Sequence, residues 1–157
     1  MSLGVAEMSS TDRDMVSARQ DLRLIGPGNV TVPLMAGLYY SRQDPYAVRM
    51  SFDAAMDEPV IWTFDRDMLA AGLDAPEGIG DIRTWPSAGS VSAETEAGAG
   101  EKILNIVLGP PSGCARFEVD AAAIEAFLTR TYELVPAGQE SACLNLDAEL
   151  TELLSQA

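Results

Sequence analysis

The sequence contains no histidine and a single lysine, Lys102. Without an imidazole there can be no Ser-His-Asp triad, Cys-His dyad, HExxH zinc site or histidine general base. One lysine leaves little for Schiff-base chemistry or a phosphate loop. Positive charge is scarce throughout: ten Lys and Arg stand against 24 Asp and Glu, a formal net charge of -14. A phosphate-binding groove needs clustered cations to release counterions, so this balance speaks against nucleic acid. Cysteine is limited to Cys114 and Cys143, which lack metal-motif spacing and sit among apolar or small neighbours. Two reduced packing thiols in a cytosolic protein are expected. No run of ~18 apolar residues is present to span a bilayer. Met1–Arg13 has neither a basic n-region nor an apolar h-region. It reads as a disordered polar extension, not as a secretory signal.

What remains is a chain of 157 residues, 47% hydrophobic and 22% charged. That is enough for one domain with a core that needs no staples, over about residues 14–157. The first two thirds carry strand patterns. Tyr46, Val48, Met50 and Phe52 alternate with Ala47, Arg49, Ser51 and Asp53, which predicts a strand with one apolar face. Val16–Ile25 alternates more loosely. Gly26-Pro27-Gly28-Asn29 then turns the chain into a strand over about 30–40, where Pro33 suggests an edge or a bulge. Val60, Trp62 and Phe64 share one face of a short strand. Asp65 is placed to cap a helix over about Arg66–Leu73. Glu77-Gly78-Ile79-Gly80 reads as a connection into a strand over about Asp81–Trp85. Residues 87–102 form a Ser-, Ala-, Gly- and Glu-rich tract with no face to bury, expected to be a flexible loop. Ile103–Leu108 and Cys114–Val119 follow as a hairpin across Gly109-Pro110-Pro111-Ser112-Gly113.

The period then changes. Ile124, Phe127, Leu128, Thr131, Tyr132 and Val135 recur at helical spacing, with Asp120 as the expected cap and Pro136 beyond the end. A last amphipathic helix is predicted over about Asp147–Ser155, with Leu150, Leu153 and Leu154 on one face. About seven strands, one helix between strand groups and two C-terminal helices, without βαβ alternation, make an α+β fold. Its sheets should be largely antiparallel, barrel-like or sandwiched.

No constellation carries chemistry on its own. Asp65-Arg66-Asp67 brings two carboxylates together, but a helix cap plus a first-turn acid explains them without a metal. Ser112 has no histidine to activate it. Gly78-Ile79-Gly80 precedes a strand and so lacks the context of a phosphate loop. Strand aromatics such as Trp62, Trp85, Tyr39 and Tyr40 could stack bases on a basic sheet; in this acidic chain core packing is the expected use. Arg66 and Arg83 are flanked by acids, which favours local ion pairs.

Asp44-Pro45-Tyr46-Ala47-Val48 and Trp62-Thr63-Phe64-Asp65-Arg66-Asp67-Met68-Leu69 resemble blocks of the SsgA-like proteins. So do the run from Ala71 to Trp85-Pro86, Phe127–Thr131, Val135–Glu140 and Leu146–Leu150. In this chain Arg49-Met50-Ser51-Phe52 replaces the usual histidine-containing continuation of the first block. The resemblance implies a non-enzymatic adaptor of sporulation-specific cell division in actinomycetes, cytoplasmic and concentrated at septa, with no cofactor. It also implies a fold similar to the Whirly-type single-strand binders, a homotrimer or homotetramer, and contacts with FtsZ or a related SsgA-like protein. Single-stranded nucleic-acid binding is the alternative that the fold suggests and the charge opposes. Aromatic residues and Arg dominate interface hot spots. Tyr46, Arg66, Arg83 and Trp85, all in matched blocks, are therefore the candidate partner-interface residues, with core packing and local ion pairing as their other possible use.

Overall fold

The computed structural model describes residues 14–52, 59–89, 91, 101–110, 112–143 and 154. Eight strands form one continuous antiparallel sheet. They are β1 (Met15–Ile25), β2 (Thr31–Ser41), β3 (Asp44–Phe52), β4 (Val60–Asp65), β5 (Glu77–Ile79), β6 (Ile82–Ala88), β7 (Lys102–Leu108) and β8 (Ala115–Asp120). Their order in the sheet is β4-β3-β2-β1-β8-β7-β6-β5. Helix α1 (Arg66–Ala71) follows β4, and helix α2 (Ala121–Leu134) follows β8. The α+β class and the antiparallel pairing agree with the sequence patterns. Among the described residues the count is eight strands, not about seven, because Glu77–Ile79 is a short edge strand and not a plain connection. Gly80, at φ 59, makes the tight return into β6. The predicted final helix lies outside the described residues except for Leu154.

Cross-strand register sorts side chains to two faces. Leu22 pairs with Val119, Leu104 with Val119, and Leu38 with Met50, all pointing inward. These residues, with Phe64, Ile106, Ile124, Phe127 and Leu128, form one core between the sheet and the helices. The sheet is strongly curled. A flat sheet would hold β3 and β8 three strand spacings apart, about 14 Å. Yet the rings of Phe52 and Phe117 stack at 4.5 Å between centroids. Helix α2 lies in the concavity against β1, β7 and β8. Helix α1 packs on β3, β4 and β5, so it bridges the two open edges of the curl.

Local details follow from local chemistry, with three departures. The Asp65 carboxylate accepts the Met68 N–H at 2.9 Å, as a helix cap should. Helix α1 is shorter than its pattern and ends at Ala71, where Gly72 lies so close to the Thr84 hydroxyl that a Cβ has no room. Asp120 occupies the cap position of α2 but does not cap it; its carboxylate accepts the Val91 N–H at 2.8 Å. Cys114 is exposed at the foot of β8 rather than packed inside. The hairpin turn that it leaves is open to solvent, so its small neighbours do not make a core.

Candidate functional site

The four candidate residues fall into three places. Tyr46 stands on β3 and is 45% exposed, although its alternation with Val48 predicts an inward ring. The cause is an irregularity in pairing. Tyr40 pairs with Val48, but its neighbour Ser41 pairs with Asp44, so extra residues of β3 bulge out of the ladder and shift the phase. Pro45 turns inward instead, and its carbonyl accepts the Tyr40 hydroxyl at 2.9 Å.

Arg66 lies at the opposite extreme, 1% exposed at the start of α1. One guanidinium nitrogen donates to the carbonyls of Thr131 and Val135, at 3.1 and 2.8 Å. The other donates to Glu140 Oε1 at 2.8 Å. The Tyr132 and Tyr40 rings lie at 4.1 and 4.9 Å from the cation. Its acid partner is thus 74 positions away and not among its flanking aspartates. The guanidinium joins α1, the C-terminal end of α2 and the 3-10 turn Glu140–Cys143; it satisfies the Val135 carbonyl beyond the helix end and adds a donor to the Thr131 carbonyl, which also accepts the Val135 N–H. It has no surface to offer a partner. Glu140, part of this clasp, carries a carboxyl held below its ordinary range, first by its own backbone N–H and then by Arg66. The Tyr132 hydroxyl donates to Asp67 Oδ1 at 3.0 Å. Burial, reinforced by that acceptor, pushes the phenol from 10.0 up to about 12.

Arg83 and Trp85 stand together on β6, on the outward face of the sheet. Register extends their row across β7 and β8: Arg83 pairs with Val107 and Val107 with Arg116, while Trp85 pairs with Asn105 and Asn105 with Glu118. Asn105, only 1% exposed, is the hub. Its amide donates to the Trp85 carbonyl and the Ser87 hydroxyl at 3.1 and 2.9 Å, and it accepts from Arg116 at 3.4 Å. Glu118 receives Arg23 and Arg116, at 3.2 and 3.3 Å. The Arg116 guanidinium sits 6.0 Å from the Trp85 ring. Arg83, by contrast, is exposed and makes no hydrogen bond or ion pair among the described residues. A shallow groove of about 550 Å³ runs past it, lined by Pro76, Glu77, Gly78, Arg83, Thr84 and Trp85. Sequence reasoning missed Asn105, Arg116 and Glu118. Their signals were the alternation of Arg116, Glu118 and Asp120 with Phe117 and Val119 in β8, and one asparagine inside the apolar run of β7.

Among the described residues no group of three His, Cys, Asp or Glu could hold a metal ion, and no helix is long and apolar enough to cross a membrane.

Comparison with known proteins agrees with this architecture. Residues 34–140 match the family model for SsgA, a Streptomyces sporulation and cell division protein. Sporulation-specific cell division protein SsgB from Thermobifida fusca is 44% identical over 146 residues, covering 93% of this chain and 99% of that protein. SsgB from Streptomyces coelicolor is 40% identical over 141 residues, covering 90% and 96%. The crystal structure of the SsgA-like protein from Thermobifida fusca superposes with a TM-score of 0.77 over 92% of this chain and 98% of that one, at 44% identity. A solved structure concerned with Streptomyces coelicolor SsgB gives 0.72 over 83% and 95%, at 40% identity. The chain with the curled sheet and the buried Arg66 clasp therefore belongs to the SsgA family of sporulation and cell division proteins.

Proposed function

We propose that the protein is a non-enzymatic adaptor of sporulation-specific cell division, working as an oligomer through protein contacts that position the septum or wall machinery. One observation carries this reading: the match to proteins named for sporulation-specific division runs along 93% of the chain. The histidine-free composition, which removes the commonest general base, is in keeping with it. FtsZ or another SsgA-like protein is the partner proposed, and the outward-facing Tyr46, Arg83 and Trp85 are the residues proposed to meet it.

Microscopy of a fluorescent fusion in a sporulating strain tests the reading. A ladder of foci before septation, with disturbed septa in the deletion strain, is the expected result. A diffuse signal with normal septation overturns it.

A further inference from the structure

We infer that the free edge of β4 pairs with an extended segment of a protein partner, one with an alternating apolar centre and Lys or Arg at its ends. This goes beyond the residues proposed above and rests on the reading that the protein acts through contacts. Strand β4 closes one end of the sheet, with β3 as its one neighbour. Among the described residues no other backbone hydrogen bond reaches residues 60–64. An edge strand turns the N–H and C=O of every second residue away from its neighbour, which makes it a template for another strand.

The fold guards its other edges. At the far end, β5 has three residues with a glycine at the centre. Residues 15–21 of β1 run past its pairing with β8, but α2 lies against β1 and Arg130 donates to the Ser17 carbonyl at 3.1 Å. Residues 31–35 of β2 run past its described pairing with β3, and Pro33 removes a donor there. Residues 60–64 carry no charge, proline or bulge. Ile61 is 59% and Val60 41% exposed. Thr63 is exposed and Trp62 half-buried. Helix α1 starts after Asp65 and sends Met68 and Leu69 into the core, so the Val60 end stays open. An added strand pairs the backbone and covers Val60 and Ile61 with cross-strand neighbours.

Charge selects the ends of that partner. Asp65 and Asp67 stand at one end of β4, and Asp57 and Glu58 precede the other end in the sequence. Asp65 and Asp67 accept from neutral donors, the Met68 N–H and the Tyr132 hydroxyl. The nearby cations are engaged: Arg66 with Glu140, and Arg49, opposite Thr63, with Asp44. Lys or Arg at both ends of a segment of about six residues, about 20 Å long, therefore meets acid that no cation neutralises. A second copy of the chain fits less well. Antiparallel pairing of β4 with itself sets the acids before one strand against those after the other, and like charges placed opposite destabilise a ladder.

The test uses the full chain and fluorescence anisotropy. The probe is a labelled peptide of alternating Val and Thr with two Lys at each end. One counterpart carries Glu for Lys; another carries Pro at alternate central positions, which removes backbone donors. The Lys peptide should bind, and each counterpart should bind at least about tenfold more weakly. Ile61→Lys should weaken binding about tenfold, since a lysine on an edge opposes pairing. Ile79→Lys, the same change at the same exposure on β5, should stay within about twofold. Circular dichroism checks that each variant folds, and Ile61→Gln serves if Ile61→Lys does not. Amide hydrogen exchange should show protection gained within residues 60–64 when the peptide is added. Four results overturn the inference: no binding at low salt, equal binding of the Pro peptide, equal weakening by Ile61→Lys and Ile79→Lys, or no protection gained in β4. An oligomer in size-exclusion chromatography that Ile61→Lys dissolves gives the edge to a second copy and overturns it as well. A fusion that still forms septal foci while the peptide fails to bind removes this edge and leaves the adaptor reading standing.

Discussion

Replacing Arg66 by Met tests whether a single buried cation holds the two helices to each other. Methionine fills much of the same volume but abandons three acceptors: Glu140 Oε1 and the carbonyls of Thr131 and Val135. Removing one partner of a buried pair typically costs about 3–5 kcal/mol, because the other charge stays behind unpaired. Stability of a domain this size is itself only about 5–15 kcal/mol. At about 2–4 °C per kcal/mol, the melting temperature should fall by about 6–20 °C. Urea unfolding followed by Trp62 and Trp85 fluorescence should show a lower midpoint with an unchanged slope. Arg66→Lys keeps the charge but not the fork that reaches three acceptors, so it should lie between the two. Acid titration adds a second readout. Glu140 has a folded carboxyl held below its ordinary value of 4.5, so it favours the folded state above that pH, and the contribution disappears as pH drops through the folded value. In the Arg66→Met protein this acid limb should shrink. A variant within about 0.5 kcal/mol of the parent, with the limb intact, would refute the clasp as a source of stability.

Tyr132 should ionise late in an ultraviolet titration, near pH 12 instead of 10.0. Because its folded value is raised, its contribution to stability is complete below pH 10.0 and fades as pH rises through about 12; Tyr132→Phe should abolish that alkaline loss. Gly72→Ala should destabilise by about 1–3 kcal/mol through overpacking against Thr84, and the double variant with Thr84→Ala should recover most of it in a thermal-melt cycle. Thr84→Ala alone should cost no more than about 1 kcal/mol, the loss of one buried methyl, since the buried hydroxyl has no hydrogen-bond partner among the described residues. Asp65→Ala should cost about 1 kcal/mol in chemical denaturation by uncapping α1; no change would mean that tertiary packing alone sets that helix start.

Patterns that depend on near neighbours were legible in the sequence. The alternation of Val48, Met50 and Phe52 and the helical recurrence of Ile124, Phe127, Leu128 and Thr131 report the geometry of a strand and a helix directly, and each of these residues is buried. The Asp65 cap is readable for the same reason. The candidate site was legible only in part. Arg83 and Trp85 were identified as an arginine and an aromatic residue in a matched block, but not the Asn105 hub beside them, because its partners lie 20, 18 and 11 positions away.

By itself, then, the amino-acid order determined the element types, the antiparallel class, the acidic balance and the absence of imidazole chemistry, since these follow from composition and local period. Tertiary structure decided which way individual groups face and whom they meet. A bulge turned Tyr46 outward, because one shifted pairing reverses the phase of every residue before it. The curl of the sheet brought Phe52 to Phe117, and the closure of α1 on α2 sent Arg66 to Glu140. Strand pairing put Arg83 on the outward face, where it forms no ion pair among the described residues. These outcomes are set by contacts between residues far apart in the chain, which no local period encodes.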